Sequence, residues 1–250
     1  EGGPVVVGRI AEAEPSSKPV HVRTQGMSSG SYTRVHDGDR RLTSYEVSLL
    51  VANRTQPAHD LEPVATATFS DLDPDLVHGF ASRLRSNKPS TFGTLDDREA
   101  LTLFGGLTPA GTPTLGTLLA LGRYPQRWFP QLDVTVVVWP TSDGRPLDDG
   151  TRFLDNVSVD GPVPRLVQDA LLAIQRNLSR RSRIPTLFRE EAWDYPLDVL
   201  RELLVNALMH RDLSPASRGT QVRVDLYPDR LVVENPGGLF GPVTVADLGT

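Results

Sequence analysis

The chain has no cysteine in 250 residues. That excludes disulfides and thiolate metal sites, and it fits a reducing compartment, so a cytoplasmic protein is expected. Long apolar runs are also missing: no stretch approaches the roughly 20 residues of a membrane helix, and the first residues do not read as a signal peptide. A membrane partner is therefore not expected. There is no G-x-x-x-x-G-K-[ST] loop, so a P-loop motor is not expected either. The formal net charge of −5 excludes a surface basic all over, and any nucleic-acid contact must come from a local patch. Glycine and proline, at 21 each, are plentiful and predict many turns. The length suggests about two domains, at roughly 100–200 residues each. The chain starts at Glu1 without methionine, which reads as a piece of something longer.

Local patterns order the chain. "PVVVGRI", "KPVHVR" and "SYTRVHDGDRR" read as short strands, the last broken at Asp37-Gly38. "LTSYEVSLLVANR" reads as a helix capped by Thr43 or Ser44, with Glu46 placed for a capping box. Residues 52–70 read as a linker. Helices are expected at "DPDLVHGFASRLRS" and "DDREALTLFGGL", a short apolar segment at "TPTLGTLLALG", and a proline-broken aromatic loop at "YPQRWFPQ". "LDVTVVVWP" is the strongest strand signal, and its valines fit a strand buried on both faces. A second strand at "TRFLDNVSVDG", a helix at "PVPRLVQDALLAIQRNLS" and a strand pair at "TQVRVDLYPDRLVVENPGG" complete the pattern.

The chemistry concentrates in "RELLVNALMHRD". Glu202, Asn206 and His210 stand at i, i+4 and i+8, one wedge of a helix that begins near Pro196. Val205 and Met209 border that wedge, so the helix is expected to be buried nearly all round, with its polar row facing partners or a ligand. Glu202 can serve as a general base, and Asn206 can offer Mg²⁺ an amide oxygen. The turn Glu234-Asn235-Pro236-Gly237-Gly238 can bring backbone close to a ligand, and Glu234 can accept a hydrogen bond from an exocyclic amine. Plainer readings stand beside these. Glu202 also reads as a surface or capped carboxylate paired with Arg201 or Arg211, Asn206 as an amide tying two elements together, His210 as a helix-end cap and Glu234 as a strand-end residue facing solvent. The Trp128-Phe129 pair reads as core packing. The densest basic run, "RNLSRRSR" with Arg176, Arg180, Arg181 and Arg183, reads as a solvated helix end or a nucleic-acid contact.

The E-x-x-x-N row followed by a hairpin and a glycine turn resembles the N-box and first glycine box of the GHKL ATPases. More widely, "LTPAGTPTLG", "YPQRWFPQLDVTVVVW", "YPLDVLRELLVNALMHRDLS" and "PDRLVVENPGGL" resemble bacterial and archaeal transcriptional regulators related to the C-terminus of a RecG-like helicase. These pair a Schlafen/AlbA-type DNA-binding domain with a GHKL-like domain. "GSYTRVHDGDRRLTSYEVSLL" resembles the second half of the former.

The resemblance implies an α+β protein with three parts. Residues 1–50 would be part of the DNA-binding domain, 51–100 a linker and helical connector, and 101–250 a GHKL-like sandwich with helices on one face of a mixed sheet and its lid missing. It implies DNA as partner, with a second copy of the chain as a further candidate, and ATP with Mg²⁺ as cofactors. Asn206 would hold the metal, and His210, Glu234, Asn235, Gly237 and Gly238 would line the nucleotide site. Glu202 would act on water. Arg34, Arg40 and Arg41, with Arg180, Arg181 and Arg183, would meet DNA. The expected function is a DNA-binding regulator switched by nucleotide. A Mg²⁺-dependent, weak ATP hydrolase acting on nucleic acid and a non-enzymatic interaction module are the alternatives. The turn departs from D-x-G-x-G: Glu234 takes the aspartate's place, and Pro236, without an N–H, replaces a glycine.

Overall fold

The computed structural model describes residues 13, 17–35, 38–52, 54, 58–178, 180–183, 190–193 and 195–237, with the backbone alone at 52, 180–183 and 190–193. The chain divides into two compact units, 1–57 with 239–250, and 58–238. The helices at 74–104 lie in the same unit as the sheet.

In the first unit, helix α1 (Gly26–Gly30) leads into a hairpin of β1 (Tyr32–Val35) and β2 (Gly38–Arg41), then helix α2 (Ser44–Ala52). The hairpin falls where "SYTRVHDGDRR" places it. The α2 cap is the expected box: Thr43 N–H donates to Glu46 Oε2 at 2.7 Å, and Glu46 N–H donates to Thr43 Oγ1 at 3.2 Å. "KPVHVR" forms only a single bridge, His21 to Ser31, before a 3₁₀ turn at Arg23–Gln25. The expected strand at "PVVVGRI" lies outside the described residues.

In the second unit, α3 (Pro74–Asn87), α4 (Pro89–Phe92), α5 (Asp97–Phe104) and α6 (Leu115–Leu121) form a helical layer. Asp73 caps α3, with proline at its first position. Asp96 and Glu99 close a capping box on α5, which ends at Gly105 in the left-handed region, φ 91°. Leu72, Val77, Leu101, Leu107, Leu118 and Leu121 form the core of this layer, with Trp128 packed against it, as expected of that aromatic.

The sheet follows: β3 (Val134–Val138), β4 (Asp155–Val159), α7 (Val163–Asn177), β5 (Arg180–Arg183), β6 (Glu190–Trp193), α8 (Leu197–Met209), β7 (Val222–Leu226) and β8 (Leu231–Glu234). Four strands run in the order β4-β3-β7-β8. Only β3 and β7 are parallel, Val134 opposite Val222 through Val138 opposite Leu226. The fold is α+β, with this sheet mixed. Alternation puts Val134, Val136, Val138, Val222, Val224 and Leu226 on one face, where they meet Leu166, Ala170 and Ile174 of α7 and Leu200, Leu204 and Ala207 of α8. Val137, on the other face, is buried as well.

"RRSR" is not a helix end. Helix α7 stops at Asn177, Leu178 is extended, and Arg180–Arg183 pairs antiparallel with Glu190–Trp193. The run lacks the apolar alternation that marks a strand, so the pairing supplies what the pattern does not.

Leu204 is 1% exposed at the centre of the α7–α8–sheet core. Leu204→Ala should cost about 2–5 kcal/mol of stability through reduced burial and a residual cavity. Urea denaturation measures it. A loss under about 1 kcal/mol would mean that α8 is not packed as described.

Candidate functional site

Helix α8 divides its residues by face. Leu200, Leu204, Ala207 and Leu208 are buried, while Glu202, Asn206 and His210 share the exposed side with Val199, Leu203 and Met209. The expectation of a helix buried nearly all round does not hold: α8 lies in an outer layer and only one face meets the sheet. Asn206 Nδ2 donates to Glu202 Oε1 at 3.2 Å. An ionised carboxylate only accepts hydrogen bonds, so it takes the amide's NH₂ side and leaves the carbonyl oxygen for other partners. Arg201 lies 4.0 Å from Asp198 and does not partner Glu202.

His210 is the C-cap residue, its N–H donating to Asn206 O at 2.9 Å. Arg211 then turns inward and is 7% exposed. Its Nη2 donates to Thr220 O at 2.5 Å, while Nε and Nη1 have no partner among the described residues. Burial lowers its pKa to about 10, against the pull of Asp133 and Asp212. Asp133 is also buried; its Oδ2 accepts from Ser158 at 2.7 Å, and its Oδ1 has no described partner. The plainer reading of Glu202 offered Arg201 or Arg211 as its partner at the surface, and Arg211 is buried instead. A charged residue just past a helix is usually exposed, and nothing in the local pattern signals otherwise.

Asp212 joins this helix end to the glycine turn. Its N–H donates to Pro236 O at 2.6 Å. Gly237 has φ 137°, and a Cβ there would lie 3.2 Å from Asp212 N and 3.4 Å from His210 O. The turn after β8 therefore needs glycine both for its backbone conformation and for its approach to residues 210–212. Glu234 and Asn235 are exposed beside it, and Asn235 Nδ2 lies 3.5 Å from Pro236 O. Gly238 lies outside the described residues. Thus His210 and the Glu234–Gly237 turn are brought together, and Glu202 and Asn206 continue from them along the exposed face of α8.

A clamp that sequence reasoning missed holds the following loop. Glu62 bonds His59 Nδ1 at 2.5 Å and also bonds Arg218. Arg218 Nε donates to Leu213 O at 2.8 Å, and its guanidinium lies over Phe129. The Asp212 carboxylate accepts from Ser214 N–H, Ser214 Oγ and Ser217 Oγ at 2.7–2.9 Å. Burial would raise its pKa, but these bonds and nearby His59 hold it below its ordinary 3.8.

The basic residues of the hairpin are exposed and largely engaged. Arg34 pairs with Asp39 at 3.1 Å, and Arg40 holds Glu46 through two bonds of 2.5 and 3.0 Å. Hydrogen bonds from Arg40 and then Thr43 hold the Glu46 carboxyl down to about 2. Arg41 donates to Ser28 O at 3.3 Å. The side chains of Arg180, Arg181 and Arg183 lie outside the described ones. Among the described residues, no group of three or more His, Cys, Asp and Glu could hold a metal ion. No helix among them is long and apolar enough to cross a membrane.

A family described as "Putative ATP-dependent DNA helicase recG C-terminal" matches residues 219–250, which include the β7–β8 hairpin and the glycine turn. No curated protein matches the chain. Among solved structures, the DIP2311 protein from Corynebacterium diphtheriae is similar, with a TM-score of 0.51 and 20% identity. The match covers 84% of this chain and 39% of that chain, and it supports the α+β fold alone.

Asp212 carries a pH consequence. Its folded pKa is depressed, so its contribution to stability is present above the unfolded value and is lost as pH falls through the folded one. Asp212→Ala should therefore be less stable than the parent at pH 7. The gap should narrow as pH falls through and below 3.8. Parallel urea titrations from pH 7 to 3 test this, and a gap independent of pH would contradict it.

Proposed function

We propose that this protein is a DNA-binding transcriptional regulator whose second part binds a nucleotide, ATP with Mg²⁺, beside α8. One observation carries the reading: the Glu202–Asn206 row and the Gly237 turn are tied together by the Asp212 N–H to Pro236 O bond. The family match at 219–250 supports it from the other side of the same joint.

The donor set fits Mg²⁺. Asn206 offers a hard amide oxygen, fixed in direction because its NH₂ is held by Glu202. With no carboxylate cage among the described residues, such an ion would be shared with substrate phosphates and water, which is Mg²⁺'s usual habit. When bound, the ion neutralises phosphate charge. Glu202 would serve as the group that takes a proton from water. Glu234 would accept a hydrogen bond from the adenine amine, and the backbone at Asn235 and Gly237 would supply N–H groups toward the phosphates. Occupancy alters DNA affinity by binding one arrangement of the protein better than another. A second reading, a non-enzymatic interaction module, is favoured by the exposure of Val199, Leu203 and Met209 on the same face of α8. An apolar strip of that kind suits a protein partner.

Two expectations separate these readings. By calorimetric titration, Asn206→Ala should abolish Mg²⁺-dependent ATP binding. Glu202→Ala should weaken binding less than Asn206→Ala does, through the loss of the bond that orients the amide, and should reduce any turnover by about 10²–10⁴-fold, as for loss of a general base. Mg²⁺-dependent binding that survives Asn206→Ala would remove the metal role, and absence of ATP binding in the parent chain would favour the interaction module.

DNA binding should be salt-sensitive and weakly sequence-selective. Replacing Arg34, Arg40 and Arg41 together should weaken it and flatten the log–log salt slope by about 0.9 for each phosphate no longer neutralised. Arg34 and Arg40 must leave Asp39 and Glu46 to meet phosphate, so Arg41→Ala should cost the most of the three single changes. Fluorescence anisotropy across a salt series decides it; an unchanged slope in the triple variant would clear the hairpin of any role in holding DNA.

A further inference from the structure

Helices α3 and α5 hold a polar relay that the nucleotide reading does not use. His78 and Ser82 stand one turn apart on α3, and Asp97 opens α5. His78 Nδ1 lies 3.0 Å from Asp97 Oδ2, and Ser82 Oγ lies 3.5 Å from His78 Nε2. Arg85 binds both ends: Nη2 donates to Asp97 Oδ1 at 2.8 Å and to Ser82 Oγ at 3.3 Å, and Nη1 donates to Leu95 O at 3.1 Å. The two helices are fixed against each other by the Phe80–Phe104 edge contact, 5.0 Å between centroids, and by buried Ala81 and Ala100. His78 lines an open groove of about 510 Å³ together with Phe69, Pro74, Val77, Asp97 and Arg98, and Ser82 stands one turn of α3 beyond that lining.

The directions of these bonds fit distinct roles. The Asp97 carboxylate can only accept, so a neutral imidazole would carry its proton on Nδ1 and turn its Nε2 lone pair toward Ser82. Ser82 Oγ already accepts from Arg85, which leaves its own O–H to point at Nε2. The guanidinium beside Oγ favours negative charge there. Nucleophile, base and orienting group are recognised by such geometry and not by sequence order, and their bonds are often long before a ligand arrives.

We propose that Ser82 is an acylatable nucleophile, with His78 as its base and Asp97 and Arg85 as positioning residues. Its substrates are small carboxylic esters, whose apolar part rests on Phe69, Pro74 and Val77. Ser82 Oγ bonds to the carbonyl carbon while its proton passes to His78 Nε2. The carbon–oxygen bond to the alcohol breaks, and the alcohol leaves with that proton. Water then attacks the acyl-serine and gives a proton to Nε2. The acid departs, and the proton returns to Ser82 Oγ.

The test uses the whole chain and a fluorophosphonate, read by peptide mass spectrometry. One adduct on Ser82 is expected. Ser82→Ala should abolish it, and His78→Gln should slow it about 10²–10⁴-fold with unchanged thermal melting. Because the chain has no cysteine, Ser82→Cys creates its sole thiol. That thiol should react with iodoacetamide at pH 7 at least about tenfold faster than a free cysteine, since a paired imidazole favours the thiolate. Adding His78→Gln should return the rate to that of a free thiol. A parent chain without an adduct, an adduct elsewhere, or a Ser82→Cys rate indifferent to His78 would each overturn the proposal.

Discussion

The parallel pairing of β3 with β7 is the constraint on which the second unit depends. Parallel neighbours cannot be joined by a tight turn; they need a crossover that returns the chain to the same end of the sheet. Here residues 139–221 make that return, and they carry β4, α7, the β5–β6 pair and α8. The in-register match of Val134, Val136 and Val138 with Val222, Val224 and Leu226 gives one continuous apolar face, and α7 and α8 are amphipathic enough to cover it. At the other end of the same two strands, Trp139 and Tyr227 stack with planes 3° apart, and Trp139 Nε1 donates to Asp225 at 2.7 Å. The pairing is thus locked at its exit by aromatics and at its entry by polar groups.

That entry is where the candidate nucleotide site begins. Val222 N–H donates to Asp133 O at 3.2 Å, extending the parallel ladder by one residue. Asp133 in turn supplies the charge that most offsets the burial of Arg211. Arg211 is the residue after the α8 cap, and Asp212, which follows, holds Pro236. The position of the glycine turn therefore descends from strand register through two buried or half-buried charges. Arg211 and Asp133 attract each other without a direct hydrogen bond or ion pair among the described residues.

Much of this was legible in the sequence, and the failures have physical causes. The valine run, the α7 and α8 periodicities, the Thr43–Glu46 box and the Glu202–Asn206 spacing are all local signals, and each falls where expected. The expectation of a helix buried nearly all round rests on Val205 and Met209 bordering the polar row, yet Val205 is only half-buried and Met209 is exposed. Composition of a helix face does not reveal whether anything packs on it. β5 was missed because "RRSR" pairs through its backbone with a segment whose match no pattern announces. Arg211, the Glu62–Arg218 clamp and the pairing of Arg40 with Glu46 depend on partners brought in by the fold.

The exposure of the row bears on how it could hold a nucleotide. Charges in water attract weakly: two unit charges 4 Å apart gain about 1 kcal/mol at the dielectric of water and about 4 at a protein surface. Glu202 and Asn206 alone therefore give direction to a ligand more than affinity. Affinity must come from backbone donors, and the turn has fewer than a glycine-rich loop would. Pro236 has no N–H, and its carbonyl is taken by Asp212. Among the described residues of the turn, Asn235 and Gly237 remain, and the φ of 137° at Gly237 is a conformation no other residue adopts cheaply. A site built from one fixed amide oxygen, one carboxylate and two backbone N–H groups would be selective in geometry and modest in strength. Modest strength would suit the proposed regulatory role, because occupancy would then follow nucleotide concentration instead of saturating at every level.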